Sequence, residues 1–148
     1  VHHCVGCFGC WVQTPGECMI DDGARDVARA FIASDLVVFF TPVTFGGYSS
    51  ELKKALDRII CLVSPFFDRF DGEVHHQPRY ARYPRLLAVG VLSRPDRESE
   101  AIFTTLVERN AINMHAPDHA AVVFHPHQSG EIVEENMKSL IERLGVGA

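Results

Sequence analysis

Three cysteines, Cys4, Cys7 and Cys10, stand three positions apart, and a fourth, Cys18, follows after a gap of seven residues. Thiolates crowded into so short a run suit soft metals, and Cys-x2-Cys-x2-Cys is the compact spacing used to ligate iron–sulfur clusters. Structural zinc more commonly takes two separated Cys-x2-Cys pairs, so this spacing favours zinc less. A third chemistry open to these residues is that of free or disulfide-forming thiols in a glycine-rich loop, including a redox-active pair. The fifth cysteine, Cys61, lies alone in an apolar helical pattern and reads as a small core residue. Disulfide stapling of a secreted scaffold is a poor reading, because the chain is rich in Leu, Ile, Val and Phe and can build a core without it.

A second stretch with binding chemistry is Thr41-Pro42-Val43-Thr44-Phe45-Gly46-Gly47-Tyr48. Its paired glycines let backbone approach a ligand closely. Phe45 and Tyr48 can lie along a flat ring, while Thr44, Ser49 and exposed amides can hydrogen-bond polar edges. The alternative is a turn that merely needs glycines, but a place between an apolar strand and a helix favours a binding loop. Arg79, Arg82 and Arg85 could clamp a dinucleotide phosphate, since guanidinium matches phosphate geometry; a solvated lid or a subunit contact fits them equally. His2 and His3 read as exposed terminal residues, and His75, His76, His125 and His127 as solvated loop histidines. Trp11, Phe66, Phe67 and Phe70 read as packing residues, a subunit interface included.

The elements that must position these groups follow from periodicity. Asp21-Asp22 open a helix with Val27, Ala30 and Phe31 inward, broken by Ser34-Asp35. Leu36 to Phe40 is a continuous apolar run, as expected of a parallel strand covered on both faces. Ser49-Ser50 cap a helix whose apolar face is Leu52, Ala55, Leu56, Ile59, Ile60 and Val63, ended by Ser64-Pro65. Phe66 to Arg85 lacks periodicity and reads as a long loop or lid. Leu86 to Leu92 is a second buried strand, and the polar loop Ser93 to Arg97 leads to a helix at about Glu98 to Asn113 with Ala101, Ile102, Leu106 and Val107 inward. Ala120 to Phe124 is a third strand, and Gly130 to Leu144 an amphipathic helix closed by Gly145. Strands alternating with helices predict an α/β, doubly wound parallel sheet, three layers thick. Ligands in such sheets bind beyond the carboxyl ends of the strands, which points at Thr41–Tyr48 and Ser93–Arg97.

The chain has 148 residues, 47% of them hydrophobic, enough for one buried core and one domain over 1–148. No apolar run approaches the ~20 residues that span a bilayer. A net charge of -5 argues against nucleic acid as a partner, which needs clustered excess Lys and Arg. The opening Val1-His2-His3-Cys4 has no initiating Met and no targeting pattern, so a processed chain or a fragment is expected.

The run Thr41 to Lys53, followed by Leu56-Asp57-Arg58, resembles the flavin-contacting loop and helix of flavodoxin-like NAD(P)H-dependent FMN reductases, roughly P-x-Y/T-x-G-x-x-S-x-x-L-K-x-x-x-D-R. The stretch Cys4 to Trp11, with Thr14 to Cys18 and Asp21-Asp22, resembles the cysteine-bearing branch of that family, the iron–sulfur flavoproteins. His75 to Pro84 is similar to its lid region. The resemblance implies FMN at the carboxyl edge of the sheet, lined by Thr41, Pro42, Val43, Thr44, Phe45, Gly46, Gly47, Tyr48 and Ser49, and reduced by hydride from NADH or NADPH. The flavin then carries the chemistry, and no side chain need act as catalytic acid or base. Cys4, Cys7, Cys10 and Cys18 would hold a 4Fe-4S cluster, and Lys53, Asp57 and Arg58 would serve helix structure and subunit contact. A homodimer or homotetramer in the cytoplasm is implied, passing electrons to a small molecule or a protein, with no membrane partner.

Such proteins begin with a strand, a Ser/Thr/Asn-rich phosphate loop, a helix and a second strand that this sequence does not contain. The expectation is therefore an N-terminally truncated flavodoxin-like fold, with Leu36 to Phe40 as strand three in the order 2-1-3-4-5, and weak stability. Three functions follow: an FMN-dependent NAD(P)H oxidoreductase, an iron–sulfur flavoprotein electron carrier, or a zinc-stabilised interaction module without activity.

Overall fold

The computed structural model describes residues 1–70 and 72–145. A short helix α1 (Gly9–Val12) and helix α2 (Ala24–Ala33) precede strand β1 (Leu36–Pro42). Helix α3 (Ser50–Arg58) runs into a 3-10 turn, Ile59–Leu62, followed by strands β2 (Val63–Phe70) and β3 (Glu73–Pro78). Strand β4 (Arg85–Val91), helix α4 (Arg97–Asn113), strand β5 (His119–Phe124) and helix α5 (Gly130–Arg143) complete the order.

The three apolar runs form one parallel sheet in the order β1-β4-β5, with Val38 beside Leu87 and Leu87 beside Ala120. Side chains of a strand alternate between faces, so two cores form. On one face Leu86 and Ala88 pack with Phe31 of α2, Leu56 of α3, and Phe103 and Val107 of α4. On the other, Leu87 and Val89 pack with Ala120, Phe124 and Leu144, flanked by Val133, Met137, Leu140 and Ile141 of α5. This is the three-layer, doubly wound arrangement expected. Leu86, Leu87, Ala88 and Val89 are each at most 1% exposed. Each large side chain among them gains about 1.5–3 kcal/mol from burial, so β4 is the spine of the sheet.

β1 differs from expectation. Phe39 is buried, but Val38 is 46% and Phe40 73% exposed, because α5 packs over β4 and β5 and leaves this face of β1 bare. Phe66 to Arg85 is also not a loop throughout. β2 and β3 pair antiparallel, with Phe67 opposite His76 and Phe70 opposite Glu73, and Gly72 turns between them at φ 86. In two helices the inward face is only partly the one periodicity suggests: Phe31 of α2 and Val107 of α4 are buried as expected, but the stripe around each is rotated. α2 buries Ala24, Ala28 and Phe31 and exposes Val27 and Ala30; α4 buries Phe103, Val107 and Ala111 and exposes Ala101 and Ile102.

The start of α3 is capped as expected, the Leu52 amide donating to Ser49 Oγ at 3.3 Å. One further device positions the loop after β1. The Val43 amide donates to Val91 O at 2.9 Å, and Gly90 lets Val43 and Phe103 close over β4. A Cβ at Gly90 would lie 2.5 Å from Val43 Cγ2.

Candidate functional site

The loop at the carboxyl end of β1 is a tight hairpin. The Thr44 amide donates to Gly47 O and the Gly47 amide to Thr44 O, both at 2.9 Å. Phe45 (φ 50) and Gly46 (φ 74) form the two-residue tip, the positive-φ pair of a type I′ turn. A phenylalanine in this region is strained, and this one is also 97% exposed. The amides of Phe45 and Gly46 donate to no acceptor among the described residues. Below the tip, Thr41 is fully buried and its Oγ1 accepts the Ser49 amide at 2.9 Å, tying loop to helix. Val43 and Gly46 are buried, Pro42 and Thr44 exposed, and Gly47 and Ser49 half-buried. Tyr48 is turned inward: its ring meets Phe39 and Phe103 edge-on, and its hydroxyl accepts from Asn110 at 3.1 Å. Burial raises the Tyr48 pKa, partly offset by that hydrogen bond. Phe45 is thus the exposed aromatic of the loop and Tyr48 the buried one.

The cysteine segment is held at the other end of α3. Arg58, expected to serve helix structure and subunit contact, is only 1% exposed and faces the interior. Its Nε donates to Cys18 Sγ at 3.1 Å, and its two terminal nitrogens grip Asp22 Oδ1 and Oδ2 at 3.0 and 3.3 Å. The same nitrogens also reach the carbonyls of His2 and Ile20. Asp57 instead lies on the surface, paired with Lys53. The Asp22 carboxyl is held down at about 2, first by the His2 amide, then by the Ala24 amide and Arg58. Burial pushes the Cys10 thiol up, and the nearness of Cys18, Cys4 and Cys7 adds to it. Cys61 is fully buried, as expected of a core residue, and burial, then Cys10 and Cys18, push it up to about 11.

Cys4, Cys7, Cys10 and Cys18 line one cavity of about 780 Å³, together with Gly47 and Tyr48 of the glycine loop. Trp11, His76, Leu106, Asn110 and Met114 form further wall, and the space is mostly apolar. That size is ordinary for a cofactor site. Among the described residues no three His, Cys, Asp or Glu side chains converge closely enough to hold one metal ion. The four cysteines share a wall without sharing a point.

Other candidates fall elsewhere. Arg82 pairs with Asp35 at 3.0 Å and Arg85 opens β4, so both sit at the amino edge of the sheet. That is a strand's length, roughly 20 Å, from the glycine loop. Arg79 is spent on the carbonyls of Cys61 and Val63. The three arginines therefore form no clamp at the carboxyl edge. His2 and His3 are exposed as expected, although the His2 backbone is bound at both ends. His75 is buried, not solvated: its ring nitrogens meet Asn113 Oδ1 at 2.9 Å and Glu73 Oε2 at 3.0 Å. His76 stacks on Phe67 and leans on Trp11, and its Nδ1 is buried without a partner among the described residues. His125 is folded against Leu92 O and Glu100, while His127 is exposed. Trp11 packs as expected, its Nε1 donating to Val63 O, whereas Phe66 and Phe67 remain exposed. Sequence reasoning missed Arg58, Asp22 and His76; the Asp-Arg end of the helix motif was the available signal for Arg58.

No helix among the described residues is long and apolar enough to cross a membrane. An iron–sulfur flavoprotein of Methanocaldococcus jannaschii is 34% identical over 55 residues, which are 37% of this chain and 28% of that protein's length. The family described as NADPH-dependent FMN reductase matches residues 5–124, from the cysteine segment through β5. The match takes in Cys7, Cys10 and Cys18, the glycine loop and all three strands of the parallel sheet. The chain belongs to the NADPH-dependent FMN reductase family and has its flavodoxin-like fold.

Proposed function

We propose that the chain is the flavin-handling part of an FMN-dependent NAD(P)H oxidoreductase with an iron–sulfur centre beside the flavin. The observation that carries this reading is the shared cavity, lined by Gly47 and Tyr48 of the glycine loop and by all four cysteines. FMN, when bound, supplies hydride and electron chemistry; the protein's part is orientation. Phe45 would cover the ring, the amides of Phe45 and Gly46 would donate to its polar edge, and Gly47 would allow close approach. The buried Thr41–Ser49 bond holds the loop rigid against α3.

The donor set suits a polynuclear cluster better than zinc. Each iron of a cluster takes its own thiolate, so the ligands need not converge on a point, whereas a single tetrahedral ion needs them to. Four thiols lining one cavity are what a positively charged metal core would draw on, and Arg58 already directs a donor at Cys18. The cluster, when bound, supplies one-electron transfer. A nicotinamide dinucleotide as reductant, a small-molecule or protein acceptor, a cytoplasmic setting and assembly with a second copy complete the reading. The exposed Phe66, Phe67 and Val74 of the β2–β3 ribbon suit a subunit contact.

The test is anaerobic purification with iron, acid-labile sulfide and flavin analysis, followed by NADPH addition. Four irons, four sulfides and a flavin absorbance that bleaches are expected. Flavin binding without iron or sulfide leaves the plain reductase and removes the cluster. One retained zinc and no flavin affinity overturns the reading altogether.

A further inference from the structure

Arg58 does something its place in the helix motif does not suggest. Arginine is almost never fully buried without a partner, and this side chain is 0% exposed. A guanidinium has five N–H donors. Here all five have acceptors: Cys18 Sγ, both oxygens of Asp22, and the carbonyls of His2 and Ile20. These acceptors bracket the cysteine segment, His2 just before Cys4 and Ile20 just after Cys18. One side chain at the carboxyl end of α3 thus closes the ends of the segment against the helix. The amino end of α3, about 13 Å away at 1.5 Å per residue, is where Ser49 fixes the glycine loop.

We propose that Arg58 is a positioning residue that locks the cysteine segment to α3 and, through its N–H to Cys18 Sγ, sets how readily the site accepts an electron. The second half rests on the iron–sulfur reading above. Hydrogen bonds to ligating sulfurs and nearby charge are among the principal determinants of a cluster's potential. A donor and a positive charge at sulfur stabilise the reduced, more negative state. Asp22 opposes this by neutralising the guanidinium, so the two residues pull the potential in opposite directions.

The experiment compares wild type, Arg58→Gln and Asp22→Asn by dye-mediated titration, dithionite supplying one electron per cluster. Arg58→Gln is expected to lower the reduced-to-oxidised ratio at a fixed poise about tenfold, ~59 mV for one electron. Asp22→Asn is expected to raise it. Loosened packing alone would move both variants the same way, so shifts of like sign, or none, overturn the assignment. If Arg58→Gln does not fold, Arg58→Lys, which lacks the Nε–H donor to Cys18, takes its place, and a fall opposite to the Asp22→Asn rise is still expected. Amide exchange on the iron-free protein reads the positioning half: the His2 and Ala24 amides, which donate to Asp22, should exchange at least tenfold faster in either variant, and unchanged exchange overturns it. Wild type without iron or sulfide removes the electron-affinity half together with the cluster reading, while the exchange result still decides the lock.

Discussion

The tip of the glycine loop holds a testable conflict between stability and binding. Phe45 sits at φ 50, and its ring is 97% exposed, so it gains almost nothing from burial. A non-glycine residue with a Cβ in the left-handed region costs roughly 1–2 kcal/mol. Asparagine tolerates that region, and Asn-Gly is the preferred pair for a type I′ turn. Phe45→Asn should therefore stabilise the cofactor-free protein by about 1 kcal/mol, which in a domain of this size raises Tm by roughly 2–4 °C. The same change removes the only aromatic that the tip holds out for a flat ring. An aromatic contact contributes about 0.5–1.5 kcal/mol, so FMN should bind roughly two- to tenfold more weakly. Thermal unfolding without flavin and fluorescence titration with FMN read the two effects separately. A lower Tm with unchanged FMN affinity would refute the reasoning, since it would mean the ring packs on protein and not on cofactor.

Gly90→Ala drives a Cβ into Val43 and Phe103 and should cost about 1–3 kcal/mol in urea unfolding; a variant as stable as wild type would show that the loop is not braced there. In the folded chain the carboxyls of Asp22 and Glu73 are each held at about 2, the first chiefly by the His2 amide and the second by Arg109 and then His75. Both contribute stability that is complete above about pH 4.5, the ordinary glutamate value, and drains as pH falls toward 2. Tm measured from pH 6 to pH 2 should show that loss, and the double variant Asp22→Asn, Glu73→Gln should flatten it. Cys61→Ser puts a hydroxyl in a fully buried apolar site and should cost roughly 1–3 kcal/mol while leaving iron content unchanged. Iron lost in proportion would instead make Cys61 part of the metal site.

The parallel sheet was legible because β1, β4 and β5 are apolar runs separated by helical patterns, the first of these capped by Ser49 as its type suggests; Asp96 and Ser129 cap the other two. The β2–β3 ribbon escaped because Val63 to Phe70 carries a proline and adjacent aromatics without period-two alternation. The Asp71-Gly72 pair, a strong hairpin signal, was present all the same. The turn between β1 and α3 was legible from its glycines, yet the inward turn of Tyr48 goes with a hydrogen bond from Asn110, 62 positions away. Arg58 could not be placed, because its acceptors lie 36 to 56 residues upstream and local periodicity is blind to such pairs. The same limit applies to α2 and α4, where Ala28 and Phe103 rather than Val27 and Ile102 joined the core.

The half-covered β1 has a consequence for how this chain behaves at concentration. Its outer rim offers backbone donors and acceptors from Leu36 to Phe40, ended by Pro42, with no strand beside it among the described residues. Val38 and Phe40 stand on the adjoining bare face. A rim of that kind recruits any extended apolar segment that drifts past, a second copy's β1 included, and does so without selecting register. Turbidity and light scattering would thus climb with protein concentration while the fold itself stays intact, and a lysine at position 38 would suppress the climb by making strand-to-strand approach repulsive.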